Sequence, residues 1–208
     1  MAEIFIKKNN NGSVAAVWKI SETFDELIEM IPFSPEMKSK LVNFKNQSRK
    51  IEWLVSRILL FNHTGLIPNI EYNEVGQPFI WGFDKKISIS HTTGYAAVVI
   101  SETDFAGIDI EQPKERILRV AQKFINPIET AFVPKNEDIN YYTLIWCAKE
   151  TLFKMLKKRE INFIEDLIIF PFIIENKGII KAKVAGNPPT EFDLEYIVTP
   201  EYHLVWHF

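Results

Sequence analysis

Phe105-Ala106-Gly107-Ile108-Asp109-Ile110-Glu111 is the stretch from which the fold is read. On an extended strand successive side chains point to opposite faces. Ile108 and Ile110 therefore enter a core while Asp109 and Glu111 share the other face. Two residues of strand separate their α-carbons by roughly 6.5–7 Å, close enough for both carboxylates to reach one ion. Hard divalent cations such as Mg²⁺ take one or two carboxylates together with phosphate oxygens and water. The same alternation is also the default of any half-exposed strand. Glu191-Phe192-Asp193-Leu194-Glu195 repeats it with no evident chemistry, so residues elsewhere must decide what the first strand does.

The 208 residues are 47% hydrophobic and 25% charged, the balance of a globular chain forming one large domain or two small ones. A formal charge of −3 gives no global attraction for nucleic acid or anionic membrane, so an anion site has to be local. The single cysteine, Cys147, fits a reducing cytoplasm. The start, Met1–Lys8, has an acid at position 3 and no apolar core of a signal peptide. The longest uncharged apolar run, Leu167–Ile174, is far short of the ~20 residues of a membrane span. A cytoplasmic protein is expected.

Ahead of the acidic strand, residues 3–20 alternate enough for a hairpin turning at Asn9–Gly12. Thr23 with Glu26 predicts a capping box for a short helix through Ile31. Ser34-Pro35-Glu36 opens a helical region to Asn62, in two pieces, closed by Gly65. On the second piece Arg49, Trp53 and Arg57 form one stripe at intervals of four, and Leu54, Ile58 and Phe61 form the core face. Three apolar runs follow, Lys86–Ser90, Tyr95–Ser101 and Phe105–Glu111. Their short breaks predict antiparallel neighbours at the centre of one sheet. His91, beside Ser90 in the first break, is either a structural histidine or a phosphate donor.

Behind that strand, Pro113–Phe124 reads as a helix with Arg116, Arg119 and Lys123 on one side and Ile117, Val120, Ala121 and Phe124 on the other. Ile139–Lys158 is the longest helical pattern of this half. Trp146, Glu150 and Lys154 share one of its stripes, and the tryptophan turns that stripe toward protein. Strands are expected at Leu167–Ile174, Ile179–Val184, Glu191–Val198 and Tyr202–Phe208. No Walker-type loop or G-x-G-x-x-G precedes a helix, so a phosphate compound must be held by metal and side chains.

Gly107-Ile108-Asp109-Ile110-Glu111 followed by Trp146-Cys147-Ala148-Lys149-Glu150-Thr151-Leu152-Phe153-Lys154 resembles the two signature motifs of the 4′-phosphopantetheinyl transferases. Those motifs are a G-I-D-I-E strand and a W-[SCT]-x-K-E-x-x-x-K helix. Ile89-Ser90-His91-Thr92 is similar to the family's S-H-[ST] segment, Gly76-Gln77-Pro78 to its G-K-P, and the helix bearing Arg49 and Arg57 to its arginine helix. The length resembles the Sfp-type branch. That branch implies an α+β fold of two similar subdomains in pseudo-two-fold arrangement, each a small, mostly antiparallel sheet packed with helices. The expected division is 1–103, with the coenzyme A contacts, and 104–208, with the metal motifs, in a monomeric pseudo-dimer.

The resemblance implies transfer of the phosphopantetheine arm of coenzyme A to a serine of an apo carrier protein, with adenosine 3′,5′-bisphosphate released. It implies Mg²⁺ on Asp109, Glu111 and Glu150, and Glu150 as general base. Lys154, Ser90 and His91 would serve the pyrophosphate, with Lys149 a further phosphate contact. Arg49, then Arg57, would serve the 3′-phosphate. Arg116, Arg119 and Lys123 would form a basic face toward an acidic carrier. Gln77 stands where the family has lysine, removing one cation that Lys85 or Lys86 would have to replace. The rival readings are a catalytically silent relative that binds carrier or coenzyme A without transfer, and another Mg²⁺-dependent phosphotransferase or pyrophosphatase.

Overall fold

The computed structural model describes residues 3–156 and 160–208. By packing, the chain forms two units, one reaching to Ala106 and including Phe208, the other Gly107–His207.

In the first unit, β1 (Glu3–Lys8) and β2 (Val14–Lys19) form the expected hairpin. The box at Thr23 and Glu26 closes in both directions and starts α1 (Phe24–Ile28), which ends three residues short of Ile31. Ser34 caps α2 (Pro35–Val42) and Asn46 caps α3 (Gln47–Thr64). Gly65 ends α3 at φ 70, the left-handed conformation that glycine adopts without a Cβ penalty. Then come β3 (Ile70–Tyr72), β4 (Pro78–Ile80), β5 (Lys86–Thr92) and β6 (Tyr95–Ser101). The main sheet is antiparallel, in the order β1-β2-β6-β5. Leu54 and Ile58 of α3 join Val98 and Ile100 of β6 in its core, as their helical spacing predicts.

The second unit opens with the acidic strand, β7 (Gly107–Glu111). The expectation that it follows β5 and β6 in one sheet is corrected. β7 is the edge of a second antiparallel sheet, ordered β7-β11-β10-β9-β8. The link before it is no hairpin turn, because the Thr103 hydroxyl takes the Phe105 amide and returns a bond to its carbonyl. Link length alone does not say which sheet receives the next strand. The helix expected at Pro113–Phe124 is shorter, α4 (Arg116–Val120) with a 3₁₀ turn to Lys123. A second capping box, Asn126 with Glu129, opens α5 (Pro127–Thr130). α6 (Asp138–Met155) follows; the expected end at Lys158 lies outside the described residues. Pro171 lacks the amide a ladder needs, and β8 is only Leu167–Ile169. β9 (Lys177–Val184), β10 (Thr190–Val198) and β11 (His203–His207) complete the sheet.

α6 lies on the face of this sheet that carries Gly107, Asp109 and Glu111. A Cβ on Gly107 would stand 2.5 Å from the carbonyl oxygen of Thr151. The Thr151 hydroxyl donates to the carbonyl of Val205, the β11 residue opposite Asp109, at 3.1 Å. Helix and strands are thereby held at one depth. No described helix is long and apolar enough to cross a membrane.

Candidate active site

Because β7 and α6 touch at Gly107, the charges of the β7 acids reach Glu150 on the helix. The Lys154 ammonium lies 2.8 Å from Asp109 Oδ1 and also donates to the carbonyl of Ile108. This is the stripe partner of Glu150 crossing to the strand instead of pairing along its own helix. The Cys147 thiol is buried, and burial, with the nearby charge of Asp109, pushes it well above its ordinary range. Glu111 accepts from Arg116 at 3.3 Å.

Glu150 is pushed up to about 7, chiefly by burial and then by the charge of Asp109, with Glu111 adding and Lys154 opposing. The charges of Asp109 and Glu111 thus add to burial in opposing the ionisation of Glu150. A carboxyl raised this way binds its proton more tightly in the folded state. The stability it lends is full below the ordinary value of 4.5 and is lost as pH rises through about 7. With chelator present, wild type should therefore lose ~1–3 kcal/mol relative to Glu150→Gln between about pH 5 and 8. Thermal unfolding of both proteins across that range checks this, and parallel curves would contradict it.

Among the described residues no three His, Cys, Asp or Glu side chains are grouped so as to hold a metal ion as they stand. The donor chemistry of Asp109, Glu111 and Glu150 nonetheless fits a hard divalent cation, whose ligand type is the carboxylate oxygen.

Glu111 and Glu150 stand on the wall of a cleft of about 790 Å³. Its lining is otherwise largely apolar, from Ile117, Val120, Phe124, Trp146, Phe153, Ile161 and Phe163, with Arg116 and Lys123 among its polar members. The aromatic residues form a chain. Phe124 meets Trp146 at 5.0 Å, Trp146 stacks on Phe163 at 5.7 Å, and Phe163 meets Phe153 at 5.6 Å.

In the first unit the structure joins two of the expected phosphate residues. Arg49 Nη1 lies 3.2 Å from the ring nitrogens of His91, across 42 residues of sequence. Glu52 Oε2 sits beneath both, 3.3 Å from His91 Nδ1 and 3.6 Å from Arg49. His91 belongs to β5 and not to a break after it, and Ser90 beside it is buried.

Arg57 differs from its expected role as a ligand. It is buried, donates to the Trp53 carbonyl and the Ser56 hydroxyl, and stacks on the Trp53 ring at 4.2 Å. Burial lowers it to about 10. Gln77 is tied into the β3–β4 turn by Asn73. Lys85, a possible substitute cation, pairs with Glu102 at 2.6 Å.

Lys149 is a second correction. It is wholly buried, and its ammonium donates to the carbonyls of Phe124 and Phe163 and to Glu129 Oε2. All three of its donors are engaged inside the protein, so a phosphate contact is excluded for this arrangement. Glu129 escaped the sequence reading; the cap Asn126-Pro127-Ile128-Glu129 was visible, but its burial was not. His203 was also missed. It pairs in register with Glu111, is buried, and is lowered to about 4 by burial, hence neutral behind the acid.

The model of the 4′-phosphopantetheinyl transferase superfamily matches residues 106–204. This stretch is similar to that superfamily. The match covers β7, α6 and most of the second sheet, and so Asp109, Glu111 and Glu150. A protein of Haemophilus influenzae provisionally named a 4′-phosphopantetheinyl transferase is 28% identical over 152 residues, 69% of this chain. The match spans 65% of that relative's length. The likeness agrees with the mixed α+β architecture, in which the two larger antiparallel sheets are each packed by a long helix.

Proposed function

We propose that this protein transfers the 4′-phosphopantetheine group of coenzyme A to a serine of an apo carrier protein, in the manner of the long, Sfp-type branch. The observation that carries the reading is the placement of Glu111 and Glu150 at the wall of an apolar cleft, with the Glu150 carboxyl raised to about 7 by burial and by Asp109 and Glu111. Such a site offers cation-binding oxygens beside room for a slender, mostly uncharged arm.

The serine oxygen forms a bond to the β-phosphorus, the bond from that phosphorus to the bridging oxygen breaks, and adenosine 3′,5′-bisphosphate leaves. Catalysis of this step is chiefly positioning and charge stabilisation. Asp109, Glu111 and Glu150 are the residues that would hold Mg²⁺, which supplies charge neutralisation at the pyrophosphate when bound. Glu150, near neutrality, takes the proton of the serine hydroxyl. Lys154 fixes Asp109 through its bond to Oδ1. Arg49 serves the 3′-phosphate, where a guanidinium fork suits the group, and His91 with Ser90 serves the pyrophosphate. Arg116 and Lys123 at the cleft, with Arg119, give an acidic carrier a basic approach.

The test is incubation of the protein with coenzyme A, Mg²⁺ and a panel of apo carriers, followed by intact-mass spectrometry. A carrier heavier by one phosphopantetheine, with matching release of adenosine bisphosphate, is the expected result. Binding without a mass gain on any carrier would identify a silent relative. Release of nucleotide without carrier modification would identify a pyrophosphatase.

A further inference from the structure

We propose that the buried Lys149–Glu129 pair is a positioning device for the aromatic end of the cleft, setting how tightly the small-molecule substrate is held without entering the chemistry. The inference rests on the reading of the cleft as the seat of the phosphopantetheine arm.

Lys149 directly precedes Glu150, yet on a helix the two point about 100° apart. Glu150 faces the cleft; Lys149 faces the protein behind its wall. Its ammonium donates to the Phe124 carbonyl at 2.6 Å, the Phe163 carbonyl at 2.8 Å and Glu129 Oε2 at 2.8 Å. Glu129 in turn accepts from the amides of Asn126 at 2.7 Å and Ile169 at 2.8 Å. Neither lysine nor glutamate side chain has any exposure.

Phe124 and Phe163 are the two rings that flank Trp146 in the cleft wall. Phe124 ends the 3₁₀ turn after α4, and Phe163 lies in a turn before β8. No sheet ladder carries the two carbonyls that Lys149 receives, and a buried carbonyl needs a partner. One ammonium supplies both and so fixes the distance between two pieces of chain 39 residues apart (163 − 124). A buried ion pair is a poor device for stability alone, since apolar residues of equal volume do as well or better. Three donors aimed at three segments are, by contrast, what sets a wall in place.

The test uses the double variant Lys149→Met/Glu129→Gln, which removes both charges together, and the milder Glu129→Asp, which keeps the charge and withdraws it. Folding of each is checked by circular dichroism. In the transfer assay KM for coenzyme A should rise about tenfold or more in the double variant, and less in Glu129→Asp. In both, kcat should stay within about threefold and KM for carrier should not move. Independently of activity, the ¹⁹F resonance of 5-fluorotryptophan at position 146, assigned with Trp146→Phe, should shift or broaden in both variants. An unmoved resonance overturns the proposal. So does a fall in kcat with KM for coenzyme A unchanged, or the failure of both variants to fold, which would make the pair a folding requirement. Absence of transfer by the wild type would defeat the proposed function, while the resonance would still report on the pair.

Discussion

Glu150→Gln should lower kcat by on the order of 10²–10⁴-fold while leaving the protein folded. The side chain is nearly isosteric, and no described element depends on the Glu150 charge: Lys154, its neighbour on the helix stripe, is held by Asp109. Removing the charge also relieves a group whose ionisation burial and Asp109 oppose, so the variant should be the more stable protein above neutral pH. Loss of turnover with gain of stability is the signature of a site strained for its chemistry. Single-turnover mass spectrometry and thermal unfolding at one pH give both halves of the result. Substantial residual turnover would remove Glu150 from the roles of base and ligand alike.

Gly107→Ala should destabilise the protein by about 3 kcal/mol or more, since overpacking of this kind is costly wherever neither side can yield. The new methyl would meet the Thr151 carbonyl at 2.5 Å, Met155 Cγ at 2.7 Å and Thr151 Cγ2 at 2.9 Å. The methionine can swing aside, but the carbonyl belongs to α6, and Thr151 is itself bonded to β11. For a chain of this size such a cost lowers Tm by roughly 6–12 °C. Whatever relaxation allows the variant to fold must lift α6 from β7, parting Glu150 from Asp109, so transfer should fail well below the melting temperature. A variant with unchanged Tm would show that strand and helix do not approach this closely.

The glycine illustrates how far the sequence could be read. Gly107-Ile108-Asp109-Ile110-Glu111 declares a strand with two acids on one face, and Trp146, Glu150 and Lys154 declare a helical stripe, because both periods are local. The capping box at Thr23 and Glu26 and the left-handed Gly65 are local too, and they are found where expected. What was hidden depends on which distant surfaces meet. β7 joins β11 and not β6 because a short link permits either course. Lys149 and Glu150 are adjacent and equally charged in magnitude, yet one is sealed behind a wall and the other faces a cleft. Arg57 shares a stripe with Arg49, but about two turns of helix carry one from the exposed end into the core. Charge reads the same in sequence whether it will be solvated or buried.

Titration of the protein with Mn²⁺, followed by electron paramagnetic resonance of the free ion, tests most directly whether the acids of β7 and α6 serve one cation. Wild type should bind a single Mn²⁺. Asp109→Asn, Glu111→Gln and Glu150→Gln should each weaken it by about tenfold or more, the loss expected when a charged ligand is withdrawn from a site of three. Wild-type affinity in Glu150→Gln, with loss confined to the two strand variants, would contradict the account, since the helix would then lie outside the site.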